Sequence, residues 1–538
     1  MTRKEFLKMT SLAAGTAIGS TVGVRRHDAL PAAAPADAAG PTGTPSGRSR
    51  GGDVRQNQSP PGKRSFPSGV TPAIVAFIAQ TSFDRIPEKA IVEARRCLID
   101  GFGVVLAGAT VRGSAIVRHY INGLECCTGS EAPTGAGNRA SVLGPERLRA
   151  DAARAALANG ASGHAMDFDD TQLSSSSDRV FGLLTHPTVP ALAASLAVGE
   201  RLDVSGRLFV EAFLTGFEVE CKMAEAIDPN HYQRGFHSTG TLGTFAAVAC
   251  AAKLMKLTTG QITHALGIAA STSSGIRVNF GSMTKPLHAG RAAENGIVAA
   301  ELAARGFTAG DDPLDGEWGY FQVLGGGADV RRIVPALGQP FSIVSPGVSF
   351  KPYPCGSLGH PTMDAMLKVV TDHDVKADQI ARIRVRAGSN ILNPLRYKTA
   401  KTELEAKFCL PFMMASIALR RRAGIREFTD EFVSSTAVQA MMAKVDTIFD
   451  PTIEARGFDR MRSVVEVELT DGRTFTEAAD ERYRGGPEKP FTRADLHDKF
   501  TDCASLVLPP DRIRRALELI ESVETLKSIR ELTQAMEA

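Results

Sequence analysis

Residues Gly235 to Thr244 read Gly-Phe-His-Ser-Thr-Gly-Thr-Leu-Gly-Thr, and residues Gly281 to Gly290 read Gly-Ser-Met-Thr-Lys-Pro-Leu-His-Ala-Gly. Between and after them, Ala, Ile, Leu and Val recur at helical spacing as far as Gly306. Ser282 or Thr284 is placed to cap a helix, and Pro286 suits its first turn, where a missing N–H costs nothing. The predicted helix runs through Ala289, Ala292, Ala293 and Ile297 and stops at Gly306. It sets Lys285 at a helix N-terminus with His288 less than a turn later, a place suited to holding a carboxylate or phosphate. A second Gly-rich turn delivers His237 to the start of another apolar helix. The plain alternative is a buried small-residue helix whose lysine reaches solvent, with His237 structural.

Outward from this stretch the helical period continues. Thr71-Pro72 begins a helix with Ile74, Val75, Phe77 and Ile78 on one face, and Pro87 begins the next. Arg147 to Leu157 is Ala-rich and is predicted to stop at Asn159-Gly160. Residues 190–198, 208–226, 242–255 and 261–270 fit a 3.6-residue period better than alternation. No strand series is predicted before about residue 343, so the body lacks the βαβ units of a dinucleotide fold. Gly325-Gly326-Gly327 has no strand before it and no cap pattern after it, which argues against a nucleotide loop.

Periodicity changes after Pro346. Arg382, Arg384 and Arg386 alternate with Ile383 and Val385, which predicts a half-buried strand over Ile380 to Ala387 with a solvated Arg face. Glu405 to Leu419 reads as helix. Val464–Leu469 and Arg473–Thr476 flank Asp471-Gly472 as a hairpin. The chain then returns to helix, with Ile513, Leu517 and Ile520 in phase. The fold class expected is mainly α, with a helical domain at 68–343, a smaller α+β domain at 344–484, and C-terminal helices at 485–538 that return to the first domain.

At the N-terminus, Thr2-Arg3-Lys4-Glu5-Phe6-Leu7-Lys8 precedes an uncharged run, and residues 1–26 resemble a twin-arginine export signal with Lys4 in place of the second Arg. The run is too short and too weakly apolar to span a membrane. Residues 27–67 are Pro, Ala, Gly, Ser and Arg with almost no large apolar side chains, the composition of a disordered linker. The expectation is an exported, periplasmic protein with no membrane segment in its mature form. The alternative is a cytoplasmic enzyme with an uncleaved tail.

The 538-residue chain is 43% hydrophobic and 22% charged, ordinary for a globular enzyme, and its net charge of +3 is too small to imply nucleic-acid binding. Eight cysteines contain no Cys-x-x-Cys pair, so zinc ribbons and ordinary iron–sulfur ligation have little support, and most read as buried free thiols.

One acidic cluster stands out, His164-Ala-Met-Asp167-Phe-Asp169-Asp170-Thr171, followed by His186-Pro187 after a 14-residue gap. A carboxylate beside a histidine can act as a base, orient the imidazole or bind a metal. A calcium loop also wants a Gly and a spaced Glu, and neither is present. The bland reading is a helix-capping acidic turn.

Together with His237, Lys285-Pro-Leu-His288 and Lys351-Pro-Tyr-Pro-Cys355, this cluster resembles the MmgE/PrpD family, which includes 2-methylcitrate dehydratase, cis-aconitate decarboxylase and iminodisuccinate epimerase. The resemblance covers roughly Val70 to Met536, including Ala406 to Phe412. It implies a large all-α domain with an inserted α+β lid, a site between the two, a homodimer, and no metal, iron–sulfur cluster or organic cofactor. By motif it carries over Asp167, His186, His237 and Lys285 as catalytic residues, and Thr171 and Lys351 as substrate-binding residues. His288 and Tyr353 are binding neighbours. The activity it implies is a lyase on a di- or tricarboxylate, by proton abstraction next to a carboxylate, with dehydration favoured. Decarboxylation or epimerisation on the same scaffold is the alternative. An exported carboxylate-binding protein without turnover is the reading from a different class. The loop Gln172 to Thr185, with serines at 174–177, departs from the family pattern, so substrate identity does not transfer.

Overall fold

The computed structural model describes residues 66–127, 139–172, 174 and 185–538. The signal-like segment 1–26, nearly all of the linker 27–67 and most of the loop 172–185 lie outside the described residues.

The longer elements of the helical body are α1 (Val70–Gln80), α2 (Glu88–Gly108), α3 (Arg112–Cys127), α4 (Ala152–Ala165), α5 (Thr188–Leu202), α6 (Gly206–Ile227), α7 (Ser238–Leu254), α8 (Thr259–Thr272) and α9 (Thr284–Ala304). Short strands β1 (Ala140–Val142), β2 (Leu148–Ala150) and β3 (Thr171–Gln172) interrupt them. Then come β4 (Val348–Ser349), α10 (His360–Asp372), β5 (Ile380–Ala387), α11 (Leu410–Arg420), β6 (Val445–Phe449), β7 (Ser463–Leu469) and β8 (Thr474–Ala478). The chain closes with α12 (Arg493–Ala504), α13 (Pro510–Glu521) and α14 (Arg530–Met536). The fold is mainly α, as the sequence predicts.

Small residues decide how closely the body helices cross. A Cβ on Gly290 of α9 would lie 2.3 Å from the Leu157 carbonyl oxygen of α4, and one on Gly160 would lie 2.8 Å from the Gly290 Cα. Close-packed interiors do not yield by that much, so the two helices pack at a distance that glycine alone allows. This crossing holds the C-terminal turn of α4, with His164, near the N-terminal turn of α9, with Lys285.

One apolar core joins α2, α4, α5 and α6 to Ile513, Leu519, Ile520, Leu532 and Met536 of the C-terminal helices. A second surrounds the sheet of the α+β region and includes Met363, Ile383, Val385, Met413, Ile417 and Val465. That sheet has the order β6-β5-β7-β8, with β5 parallel to β6 and antiparallel to β7. The Arg face of β5 carries cross-strand ion pairs, Arg384 to Glu468 at 2.6 Å and Arg386 to Asp450 at 3.1 Å. Such exposed pairs each contribute only about 0.2–1 kcal/mol. Cys97, Cys221, Cys250, Cys355, Cys409 and Cys503 are buried free thiols, and no helix among the described residues is long and apolar enough to cross a membrane.

Four local expectations are corrected. Strands do occur before residue 343: β1 pairs with β2, and β3 pairs with β4 through Thr171 with Ser349 and Gln172 with Val348. Helix α4 does not stop at Asn159-Gly160. Asn159 turns inward, accepts from the Leu143 N–H and donates to the Ser141 carbonyl, both at 2.9 Å, while Gly160 is the crossing point with α9. The segment 405–419 is broken before α11, where Lys407 turns its ammonium to the Ala165 carbonyl at 3.1 Å. Neither Ser282 nor Thr284 is the N-cap of α9, since Met283 holds that position without a side-chain bond.

Candidate active site

Asp167 follows α4 and takes a left-handed backbone conformation, φ 51°, which is uncommon outside glycine and which Asp and Asn adopt more readily than other residues. Two lysines converge on its carboxylate. Lys285 Nζ, from the first turn of α9, lies 2.5 Å from Oδ1, and Lys351 Nζ, just after β4, lies 3.0 Å from the same oxygen. Lys351 also donates to the Asp167 carbonyl at 2.9 Å. The trio is buried, with 3, 4 and 1% of Asp167, Lys285 and Lys351 exposed. The second oxygen, Oδ2, has no partner among the described residues.

Donor counting separates the roles. An ammonium has three N–H groups. Lys285 uses one on Asp167, and Lys351 uses two. Both line a cavity whose other walls include His186, His237, Ser238, Phe280 and Phe408. Their remaining N–H groups suit an anionic ligand there. The Phe280 and Phe408 rings lie 5.2 and 5.4 Å from Lys285 Nζ and shield its charge from water.

Three imidazoles cluster beside them. The His164 ring centre is 4.7 Å from that of His186 and 5.5 Å from that of His237. His164 Nδ1 meets the Asp169 carboxylate at 2.8 Å, and His186 Nδ1 meets the Asp170 carbonyl at 2.7 Å. Both acceptors require the proton on Nδ1, so each neutral ring keeps its lone pair at Nε2. His237 Nδ1 lies 3.0 Å from His288 Nδ1. The Nε2 atoms of His164 and His237 are buried and unpartnered among the described residues.

The electrostatics follow from burial and from the lysines. Burial pushes the Asp167 carboxyl up, but the Lys285 and Lys351 ammonium groups outweigh it and hold the acid well below the usual carboxylate range. Burial also pushes His164 below its ordinary value and His186 and His237 well below it, and the Lys285 charge adds to this in all three. His288 is pushed down to about 4, by burial first and then by His164 and Lys285. Asp169 and His164 form a tightly coupled pair. Its direction is an ionised carboxylate accepting the Nδ1–H of a neutral imidazole. Burial, reinforced by Asp100, raises Asp170 to about 7.

His164, His186 and His237 also place one nitrogen each within 4.8 Å of the others, close enough to be considered as metal ligands. The neighbouring ammonium of Lys285 already repels protons from all three rings. Lys285 thus opposes positive charge at all three rings, while the Asp169 carboxylate favours it at His164 and His186.

Asp167, His186, His237, Lys285 and Lys351 therefore meet at one cavity. His288 supports His237 from behind. Thr171 is buried on β3 and does not line the cavity, and its hydroxyl has no partner among the described residues. Tyr353 donates its hydroxyl to Asp364 at 2.7 Å and lines a neighbouring cleft, with Lys499 and Arg484, that shares Lys351 with this cavity. His164 and Asp169 lie within the acidic motif, and nothing in its spacing distinguishes their roles. Phe280 stands directly before the Gly281 motif, and Phe408 lies within the Ala406 to Phe412 run. No local signal marks Lys499.

Residues 72–333 match the family model described as the MmgE/PrpD N-terminal domain, and residues 353–525 match the MmgE/PrpD C-terminal domain. The chain is 26% identical over 475 residues to cis-aconitate decarboxylase of Homo sapiens, covering 86% of this chain and 94% of that protein. The cis-aconitate decarboxylase of Mus musculus is 27% identical over 481 residues, covering 87% and 93%. That of Aspergillus terreus (strain NIH 2624 / FGSC A1156) is 23% identical over 488 residues, covering 87% and 96%. Two family models in tandem, on a helical fold whose two lysines meet at one aspartate, place this chain in the MmgE/PrpD family.

Proposed function

We propose that this protein is a cofactor-independent lyase that removes CO₂ from a small polycarboxylic acid. The observation that carries this reading is the pair of buried ammonium groups on Asp167 with N–H donors left for the cavity. In such a step the bond between carbon and the departing carboxyl breaks, and its electron pair stays on carbon, delocalised toward a second carboxylate. Lys285 and Lys351 hold that charge by fixed hydrogen bonds, each worth roughly 1.5–3 kcal/mol. A protonated imidazole of the cluster then supplies the proton that forms the new C–H bond, and solvent reloads it. The binding of an anion beside His186 and His237 favours their protonated forms and so prepares this acid.

Dehydration, the reading favoured on sequence, is kept as the second reading because His164 and His186 present lone pairs at Nε2. A neutral imidazole is a base, and proton abstraction next to a carboxylate followed by loss of hydroxide uses it directly. The relatives named above bear the name cis-aconitate decarboxylase, and this similarity supports taking CO₂ loss as the first reading.

Proton NMR in D₂O with EDTA present tests both readings on cis-aconitate, citrate, 2-methylcitrate and related acids. Loss of CO₂ with deuterium entering the product supports the first reading. Formation of an alkene without CO₂ loss replaces it with the second. Thermal stabilisation by these acids with no product formed replaces both with a carboxylate-binding protein.

A further inference from the structure

Carbonyls from the last residue of helix α4 onward are held by three lysines from three distant parts of the chain. Lys407 donates to the Ala165 carbonyl at 3.1 Å, Lys351 to the Asp167 carbonyl at 2.9 Å, and Lys499 to the Phe168 carbonyl at 2.8 Å. Lys499 belongs to α12. Its ammonium also donates to the Lys351 carbonyl at 3.1 Å and pairs with Asp100 of α2 at 2.6 Å. It stands over the Phe168 ring, 3.9 Å from the centre.

We infer that Lys499 is a positioning residue that fixes Asp167 and Lys351 relative to each other. Two of its N–H groups meet the Phe168 and Lys351 carbonyls and its charge lies 2.6 Å from Asp100 Oδ1, so its contacts are all to the protein's own oxygens. It does not line the cavity that holds Asp167 and Lys285. What it does hold is the backbone next to each partner of the central ion pair, Phe168 after Asp167 and the Lys351 carbonyl itself. Asp167 sits in a left-handed conformation, and the bonds to the Asp167 and Phe168 carbonyls hold it there. The α12 helix packs on α2, and Lys499 extends that rigid contact into the site. A hydrogen-bonded ammonium at 7% side-chain exposure is costly to place, and a simple ion pair with Asp100 does not account for the two carbonyl bonds.

The effect on turnover rests on the lyase reading, but the decisive measurement does not. Lys499→Met leaves Asp100 buried without its partner, so that variant mixes lost stability with lost positioning. The double variant Asp100→Asn/Lys499→Met removes both charges and separates the two effects. Amide hydrogen exchange is followed by mass spectrometry on the full chain, in peptides covering residues 166–172 and 348–353. The expected result is that the double variant unfolds near the wild-type temperature, while exchange in these two peptides rises at least tenfold and exchange in α2 and α12 does not. Lys499→Arg, which keeps a donor for the carbonyls, should restore part of the protection. Wild-type exchange in both peptides of the double variant overturns the assignment. So does a uniform rise across the chain, which marks Lys499 as a structural ion pair. Where a substrate is turned over, kcat should fall at least tenfold in the double variant with KM changed less than threefold. A wild-type protein that turns over none of the acids counts against the lyase reading and leaves the exchange result to decide this one.

Discussion

Lys285 Nζ lies 2.5 Å from Asp167 Oδ1, while Asp167 Oδ2 is buried without a partner among the described residues. One carboxylate oxygen thus anchors the positive charges, and the other is left toward chemistry. Asp167→Asn keeps the size and tolerates the left-handed backbone, so it isolates the charge. Two buried ammonium groups would then face each other without a counter-ion. Breaking a buried pair from one side costs ~3–5 kcal/mol, and a loss in that range is expected in urea unfolding. The double variant Asp167→Asn/Lys285→Met, with one ammonium removed, should recover part of it. A single variant as stable as wild type would show that Asp167 does not act as the counter-ion of the two ammonium groups.

Lys285 and His237 touch the cavity from α9 and from the start of α7, and both hold charge or protons at its wall. Removing a preorganised donor of this kind costs ~10²–10³ in rate, and removing an acid or base costs ~10²–10⁴. Lys285→Met and His237→Ala should each lower kcat/KM at least a hundredfold on whatever acid is turned over. Far-ultraviolet circular dichroism should stay that of the wild type. Turnover within tenfold of wild type in either variant would remove that residue from the mechanism.

The imidazoles make the two chemistries distinguishable by pH. Burial places His186 and His237 well below the ordinary histidine value, and the Lys285 charge lowers them further. If CO₂ loss needs a protonated imidazole, kcat/KM should rise as pH falls from 8 through the ordinary histidine value of about 6.5. If water loss needs a neutral imidazole, kcat/KM should stay level over that range and fall only at more acid pH. Asp167 is held well below the usual carboxylate range and stays ionised throughout. The profile of kcat/KM between pH 5 and 8.5 decides, because it reports the groups of the free enzyme.

Much of this site is legible in the sequence because its signals are local. Gly281, Pro286 and the alanines after them specify the start of α9, and this fixes Lys285 and His288 one turn apart. The family motif puts Thr171 among the substrate-binding residues, and Tyr353 is expected beside the ligand as a neighbour of Lys351. Backbone pairing on β3 takes Thr171 off the cavity wall, and Asp364 draws Tyr353 to another cleft. Gly160 reads as a helix stop because glycine usually breaks helices, yet here its missing Cβ admits α9. Lys499 carries no local mark, and Lys407 is marked only as part of the Ala406 to Phe412 run, with nothing to show which carbonyl it meets. Their partners are carbonyls separated from them by more than two hundred residues, 331 for Lys499 to Phe168 and 242 for Lys407 to Ala165. Only the folded chain brings such pairs together.

Asp170 gives a test of the buried electrostatics that needs no substrate. Its carboxyl is fully buried, accepts from the Thr188 hydroxyl at 2.7 Å, and is raised from 3.8 to about 7 by burial and then by Asp100. Folding therefore increases its proton affinity. Between about pH 4 and pH 7 the native state keeps a proton that the unfolded chain releases, so stability from this group falls as pH rises through that window and is level above it. The ceiling on the loss is ~4 kcal/mol, from a shift of about three units at 1.36 kcal/mol each. Asp170→Asn imitates the protonated form and retains an oxygen for Thr188. The variant should exceed wild type modestly at pH 5 and by about 2–3 kcal/mol more at pH 8. Urea unfolding at the two pH values measures the gap. A gap that does not widen with pH would mean that Asp170 is ionised in the native protein and that its buried environment stabilises the charge.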